Sequence, residues 1–248
     1  MIKTRPVSKM MYKPAIVGFG LALISVLTAI SAPLGSRGGL WDYTFSLLIL
    51  NGAAYMGIFA ALLCLPGIIL ARPRGKYNGF IYSLVGLIMI VPMILFLQMW
   101  QHAKQNLPPI QDITTNIENL PTFWYAPNSQ EYGGFEAFEV QQQAYPDIQP
   151  LVLPISTNKS YDLVLKLMHK KGWKLWTPSR VEMHIEATET TFWFGFSDDI
   201  VVHIAELKNG DSQIEMRSTS RFGGGGDGGT NANRIRTFLK DLKVSSLD

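Results

Sequence analysis

Three uninterrupted apolar stretches limit what this chain can become. They run from about Pro14 to Leu34, from about Phe45 to Leu70 and from about Phe80 to Trp100, and none contains a charged side chain. The hydrocarbon core of a bilayer is crossed by about 20 residues of apolar helix. A helix buried in a soluble protein normally keeps a polar stripe, and these stretches have none. The sequence therefore predicts three transmembrane helices and excludes a fully soluble enzyme. Ala29-Ile30-Ser31 would serve as a signal-peptidase site, but the first stretch outruns a signal-peptide core and two more spans follow it, so it is read as a span.

Charge divides the chain in two. Residues 1–104 carry nine Lys and Arg against one acid, Asp42, whereas the remainder carries thirteen bases and eighteen acids. The basic short segments are the N-terminus (Lys3, Arg5, Lys9, Lys13) and the second loop (Arg72, Arg74, Lys76). The positive-inside rule then predicts a cytoplasmic N-terminus and an exported remainder after Trp100, in the periplasm if the membrane is a bacterial inner membrane. An acidic folded half excludes a basic nucleic-acid-binding domain. Asn51 is the main strongly polar residue within the spans, which hold no Asp, Glu, Lys, Arg or His of the kind that proton or ion pathways use. The one cysteine, Cys64, lies in the second span, so the exported part has neither a disulfide nor a cysteine zinc site.

Residues 105–156 contain seven prolines and little periodicity, and are expected to be extended chain that wraps a core or meets a partner. The core itself is expected over 157–248. A helix is predicted over about 158–171 from Tyr161, Val164, Leu165 and Met168, closed by Lys170, Lys171 and Gly172. About five strands follow, near 173–176, 181–188, 192–196, 200–207 and 213–219, and their short turns make the sheet antiparallel. A glycine loop, Gly223 to Gly229, leads to a last helix with Ile235, Phe238, Leu239 and Leu242 on one face. The predicted fold class is α+β: three N-terminal transmembrane helices, then an antiparallel sheet flanked by two helices on one face.

An ordered set of short motifs runs through the exported half: Pro109-Ile110-Gln111-Asp112-Ile113-Thr114-Thr115, Ala144-Tyr145-Pro146-Asp147, Gly172-Trp173, Phe196-Ser197-Asp198-Asp199-Ile200, Arg217-Ser218-Thr219-Ser220-Arg221 and Asn231-Ala232-Asn233-Arg234-Ile235. In that order they resemble the bacterial and plastid domain-of-unknown-function family numbered 1499, across most of 105–242. Asn116 stands where the family often has aspartate, and His203 where arginine is commoner. The resemblance implies a domain boundary and no activity.

The strongest polar cluster is Asp198, Asp199, Arg217, Arg221, Asp227, Asn231 and Arg234. A strand end, a glycine loop and a helix start could cradle an anion, such as a lipid headgroup, with backbone N–H groups and arginines. The alternative is that the arginines pair with the aspartates and pin the loops. The loop lacks the Gly-Lys-Ser/Thr ending of a nucleotide P-loop. Secondary candidates are Asp112, Thr114, Thr115, Asp147 and Glu186. Asp198 and Asp199 are expected at a turn, and adjacent residues of extended chain point to opposite faces, which disfavours their acting on one atom. His184 and His203 on neighbouring strands, with Glu186, make the one weak metal arrangement, so no metal and no cofactor is expected. The expected function is a membrane-anchored, non-catalytic binding or scaffold module of the cell envelope, with membrane lipid and a membrane or periplasmic protein as partners and no nucleic acid. A lipid or small-anion binding protein is the alternative, and an envelope hydrolase the next.

Overall fold

A computed structural model describes residues 10–73, 77–127, 131–221 and 226–247. The chain divides into two units, residues 1–101 with 193–195, and residues 102–192 with 196–248.

The first unit holds three helices, α1 (Lys13–Arg37), α2 (Tyr43–Leu70) and α3 (Phe80–Asn106). All three are long and apolar enough to cross a membrane, which makes the chain a membrane protein. Between α1 and α2 the contact is made by small residues. Ala22 and Ala60 are fully buried, and a Cβ added to Gly18 would lie 2.7 Å from Cys64 Sγ. Helices packed without a hydrophobic drive gain from such close approach. Hydroxyls add to it: Ser25 donates to the Ala53 carbonyl at 2.6 Å, and Ser46 to the Ala32 carbonyl at 2.8 Å. A two-residue parallel pair, β1 (Met10–Met11) with β2 (Tyr77–Asn78), joins the start of α1 to the turn before α3.

The second unit is an α+β domain. Its elements are β3 (Asp112–Thr114), α4 (Gly134–Ala144), β4 (Leu151–Leu153), α5 (Thr157–Lys170), β5 (Lys174–Leu175), β6 (His184–Thr190), β7 (Ser197–Glu206), β8 (Ser212–Ser220) and α6 (Thr230–Ser245). The sheet has six strands, all paired antiparallel, in the order β3-β8-β7-β6-β5. β4 also lies on β8, so β3 and β4 share one edge: β3 pairs with Arg217–Thr219 and β4 with Ser212–Ile214.

Residues 105–156, expected to lack elements, thus hold β3, α4 and β4. The expected strand at 192–196 is absent. Its alternating phenylalanines occupy the turn between β6 and β7, and β7 starts at Ser197. β6 starts at His184 rather than near Val181, because Met183 takes a left-handed backbone (φ 48°) that ends the extended run.

Both α5 and α6 press on one face of the sheet. Tyr161, Val164, Leu167 and Met168 of α5 join Ile235, Phe238 and Leu242 of α6 against Ile113, Ile185, Ala187, Ile200, Val202, Ile204, Ile214 and Met216. Trp173 stacks on Phe238 with centroids 5.2 Å apart. Each large side chain removed from water contributes roughly 1.5–3 kcal/mol, which supports a core without disulfides.

Candidate functional site

Strand alternation sorts the polar candidates onto two faces. On the helix side, Asp198, Ser218 and Ser220 continue the apolar rows towards the start of α6. On the other side, the register aligns Asp112, Thr219, Asp199 and Thr188 in one row across β3, β8, β7 and β6. The next row is Thr114, Arg217, Val201 and Glu186, and the one beyond it Glu215, His203 and His184. Asp198 and Asp199 sit inside β7 rather than at a turn, and the seven principal candidates do not converge on one point.

Each arginine of the cluster lies against carboxylates of the same chain. On the helix side, Arg234 bonds to Asp198 and Glu189 at 2.5 Å each, and also to Ser218 and Asn231. Asn231, fully buried, accepts from Ser218 Oγ and donates to Ser220 Oγ and to the Gln111 carbonyl. That ties α6, β8 and the residue before β3 together. On the opposite side, Arg221 grips Asp199 through Nε (2.8 Å) and Nη2 (2.7 Å), and Thr188 donates to the same carboxylate. The bonds to Asp199 hold the Arg221 guanidinium more firmly protonated. Arg217 grips Asp112 in the same two-pronged way, at 2.9 and 2.7 Å.

At the α6 start an anion cradle is present, and a carboxylate of the chain occupies it. Asp227 accepts from the backbone N–H of Gly229 at 2.9 Å and of Asn231 at 2.5 Å. Burial raises the Asp227 carboxyl above its ordinary value, against the pull of those two N–H groups. Residues 223–225 of the expected glycine loop lie outside the described residues.

The polar face of the sheet is roofed by the segment after β3, residues 115–127, here called the strap. Glu186, fully buried, holds it from below. Its carboxylate accepts from the consecutive backbone N–H groups of Trp124 (2.6 Å), Tyr125 (3.1 Å) and Ala126 (2.6 Å), and lies 2.8 Å from His184 Nε2. The Trp124 ring stacks flat on His184, with centroids 3.7 Å apart and planes 7° from parallel. Burial pushes the Glu186 carboxyl up, but His184 and the three N–H groups pull harder and leave it below the ordinary range. Glu215 repeats the pattern. Burial opposes its charge, while His203, Gln213 and Asn116 outweigh burial, and Asn119 also bonds to it. Arg217 adds a third fixing point by donating to the Pro121 carbonyl at 3.3 Å, beneath the rings of Phe123 and Tyr132. Burial, and then the Asp112 charge, push the Tyr132 hydroxyl up to about 12. Burial likewise raises Asp112 itself, against the pull of Arg217.

The secondary candidates fall into place around this roof. The Thr114 backbone N–H donates to Gln141 Oε1 of α4 at 2.9 Å, and Gln141 Nε2 donates in return to the Thr114 carbonyl at 2.7 Å. Thr115 Oγ1 accepts from the Met216 N–H. Asp147 lies elsewhere, in a half-exposed pair with Arg236 at 2.5 and 2.6 Å. Glu186 and Arg217 share the polar face with Asp199, whereas Asp198 lies on the other, so no one cleft collects Glu186, Asp198 and Arg217. No group of three metal-ligating side chains occurs among the described residues.

Sequence reasoning missed the strap residues Asn116, Asn119 and Trp124, and Gln141 of α4. One signal pointed to them. The two positions where the sequence departs from the family pattern, Asn116 and His203, both bond to Glu215, at 2.8 and 2.9 Å.

A shallow cleft of about 280 Å³ lies on the helix side, lined by Lys171, Trp173, Glu189, Thr230, Asn233 and Arg234 among others. Trp173 Nε1 is buried there without a hydrogen-bond partner.

None of the curated proteins compared matches the chain. A family model described as a protein of unknown function, DUF1499, matches residues 112–242, more than half of the chain and all of the sheet from β3 to β8. On that match the chain belongs to the DUF1499 family.

Proposed function

We propose that this protein is a membrane-anchored, non-catalytic binding module of the cell envelope that engages another membrane or periplasmic protein. The observation that carries the reading is the use made of the buried charge. Glu186, Glu215 and Arg217 are spent on fixing the strap, which leaves the outer side of the strap and α4 as a preorganised surface. Trp124 and Tyr125 are about half exposed there although their backbone is bolted to Glu186, and Phe135 of α4 is 72% exposed. Rigid aromatics lose little conformational freedom on binding and dominate interface energetics. The basic N-terminus and second loop support a bacterial inner-membrane placement with the sheet domain in the periplasm.

The test is native mass spectrometry of the protein gently extracted from its own membrane, with a photo-crosslinking residue in place of Phe135. A stoichiometric protein companion, crosslinked at that position, supports the reading. A lone chain overturns it. A second reading, binding of a lipid or small anion, is favoured by the cleft beside Trp173, whose indole N–H calls for an acceptor. A lone chain that retains such a molecule would move the assignment there.

A further inference from the structure

Ser25, Ser31 and Ser46 of the membrane helices each donate their hydroxyl to a helix carbonyl, at 2.6, 2.8 and 2.8 Å. Two polar side chains of α2 do not. Asn51 and Tyr55 have no hydrogen bond to any described residue, and both face outward, Tyr55 with 75% of its surface exposed. They are four residues apart and so share one face of the helix. Tyr55 is about 2 Å and Asn51 about 8 Å along the axis from the midpoint of α2. Both positions lie within a hydrocarbon core of roughly 30 Å centred on the helix. Lipid tails offer neither donor nor acceptor, so a carboxamide and a phenol facing them are left unsatisfied. Gly52, next to Asn51, is also unexplained by the chain's own packing. A Cβ at Gly57 would lie 3.0 Å from Ser25 Oγ, and one at Gly86 2.8 Å from Cys64 Sγ, so those glycines let the helices approach one another. A Cβ at Gly52 would meet nothing within 4 Å. Gly20 of α1 is open in the same way but has no polar neighbour on its face. Glycine weakens a helix, and Gly52 offsets that cost only where a second backbone comes close.

Three features select a second copy of this chain as the occupant of that face. A carboxamide carries donors and an acceptor together, and a phenol does the same, so each is complementary to itself. Two Asn51 side chains facing one another across a two-fold axis satisfy each other, which is the isologous form of contact. Identical chains also insert in the same orientation, so the two asparagines arrive at the same depth without adjustment. Finally, Leu48, Asn51, Tyr55, Ile58 and Leu62 recur at intervals of three and four residues, and all are exposed. That spacing forms the seam along which two helices pack at a small crossing angle, and one asparagine within such a seam fixes its register.

We propose that the Asn51–Tyr55 face of α2 is the interface of a parallel homodimer within the membrane, with the two Asn51 side chains hydrogen-bonded to each other and Gly52 leaving room for the second backbone. This goes beyond the binding surface on the sheet domain and does not rest on it.

The test is the oligomeric state of the full chain in phosphatidylcholine vesicles, read by single-molecule photobleaching of a fluorophore at the N-terminus over a series of protein-to-lipid ratios. The unmodified chain is expected to bleach in two steps. Asn51→Leu is expected to raise the mole fraction at which half the protein is dimeric by about tenfold, and Tyr55→Phe by less. Both changes are on the lipid-facing side and should leave helicity by circular dichroism unchanged. Monomers at every ratio overturn the proposal. A dimer that Asn51→Leu leaves intact also overturns it, because the contact is then elsewhere. A second measurement leaves Asn51 in place. In a Cys64→Ala background, Leu48→Cys on the seam and Phe96→Cys on α3 are oxidised separately in the native membrane; the native side chains are 65% and 63% exposed. Leu48→Cys is expected to form a disulfide-linked dimer of the chain, and Phe96→Cys to stay monomeric. Equal behaviour at the two positions overturns the proposal. A Leu48→Cys disulfide to a different protein overturns it as well, and assigns the face to a foreign helix.

Discussion

The two faces of the six-stranded sheet are built on opposite principles. The helix side buries Ile113, Ile200, Ile214, Met216, Ile235 and Phe238, and apart from the polar cluster around Arg234 at the start of α6 it needs only shape and volume. The strap side buries Glu186, Asp199, Glu215 and Arg217, each with named partners at hydrogen-bond distance. An apolar face tolerates repacking at modest cost. A polar face is costly to break at any single point but specifies one arrangement of the covering chain. Of the strap's six hydrophobic residues only Ala126 is buried, so burial alone does not hold it, and the charges beneath it supply the register.

That contrast can be tested in order of effect. Phe238→Ala empties a fully buried ring position against Trp173 and is expected to cost about 3–5 kcal/mol in denaturant unfolding. Arg217→Ala leaves Asp112 without its partner and is expected to cost about 3 kcal/mol, whereas the double change Asp112→Leu with Arg217→Met should return to near wild-type stability. If the double variant is as unstable as the single one, the polar face does more than satisfy its own charges, and the comparison sharpens.

Glu186→Gln keeps the shape and removes the charge; a loss of about 1.5–3 kcal/mol is expected, with faster amide exchange at Trp124, Tyr125 and Ala126. Its pH dependence has a definite sign. The Glu186 carboxyl is depressed in the folded state, so its contribution is present above the ordinary glutamate value and is lost as pH falls through the lower, folded value. The gap between wild type and Glu186→Gln should therefore close on acidification. Asp112 and Asp227 are raised and work in the opposite sense, stabilising the fold at low pH and losing that contribution as pH rises through their folded values. A gap that widens in acid would break the account of the strap. Smallest of all, Asp147→Ala removes a pair whose partners are 39% and 55% exposed and should cost less than about 1 kcal/mol, with part of that cost erased by salt.

The membrane helices were legible in the sequence because nothing else accounts for twenty apolar residues without a charge. β8 was legible from alternation, and β7 from its apolar run and the short turn at Lys208–Asp211. The helix α4 was not. It starts on two glycines without a side-chain cap, ends in three glutamines, and buries only Gln141 completely. The turn at 192–196 was misread because aromatic alternation imitates a strand, whereas a positive φ at Gly195 is invisible in composition. The arginine cluster was found as a set of residues, but its partners depend on which face each strand position takes. Bonds from the strap's backbone N–H groups to Glu186 leave no trace in the side chains of Tyr125 or Ala126.

The separation of partners along the chain also sets an order of events during synthesis. Asp112 waits for Arg217, 105 residues later; Asn116 waits for Glu215, 99 residues later; and the Gln111 carbonyl waits for Asn231. Long-range closures of this kind are slow relative to helix and hairpin formation. The strap therefore leaves the ribosome before any of the carboxylates that secure it and docks only after β6 and β8 have been made. Until β8 and the start of α6 are made, Trp124 and Tyr125 belong to an unfixed chain, and the nascent protein depends most on protection from aggregation over that interval.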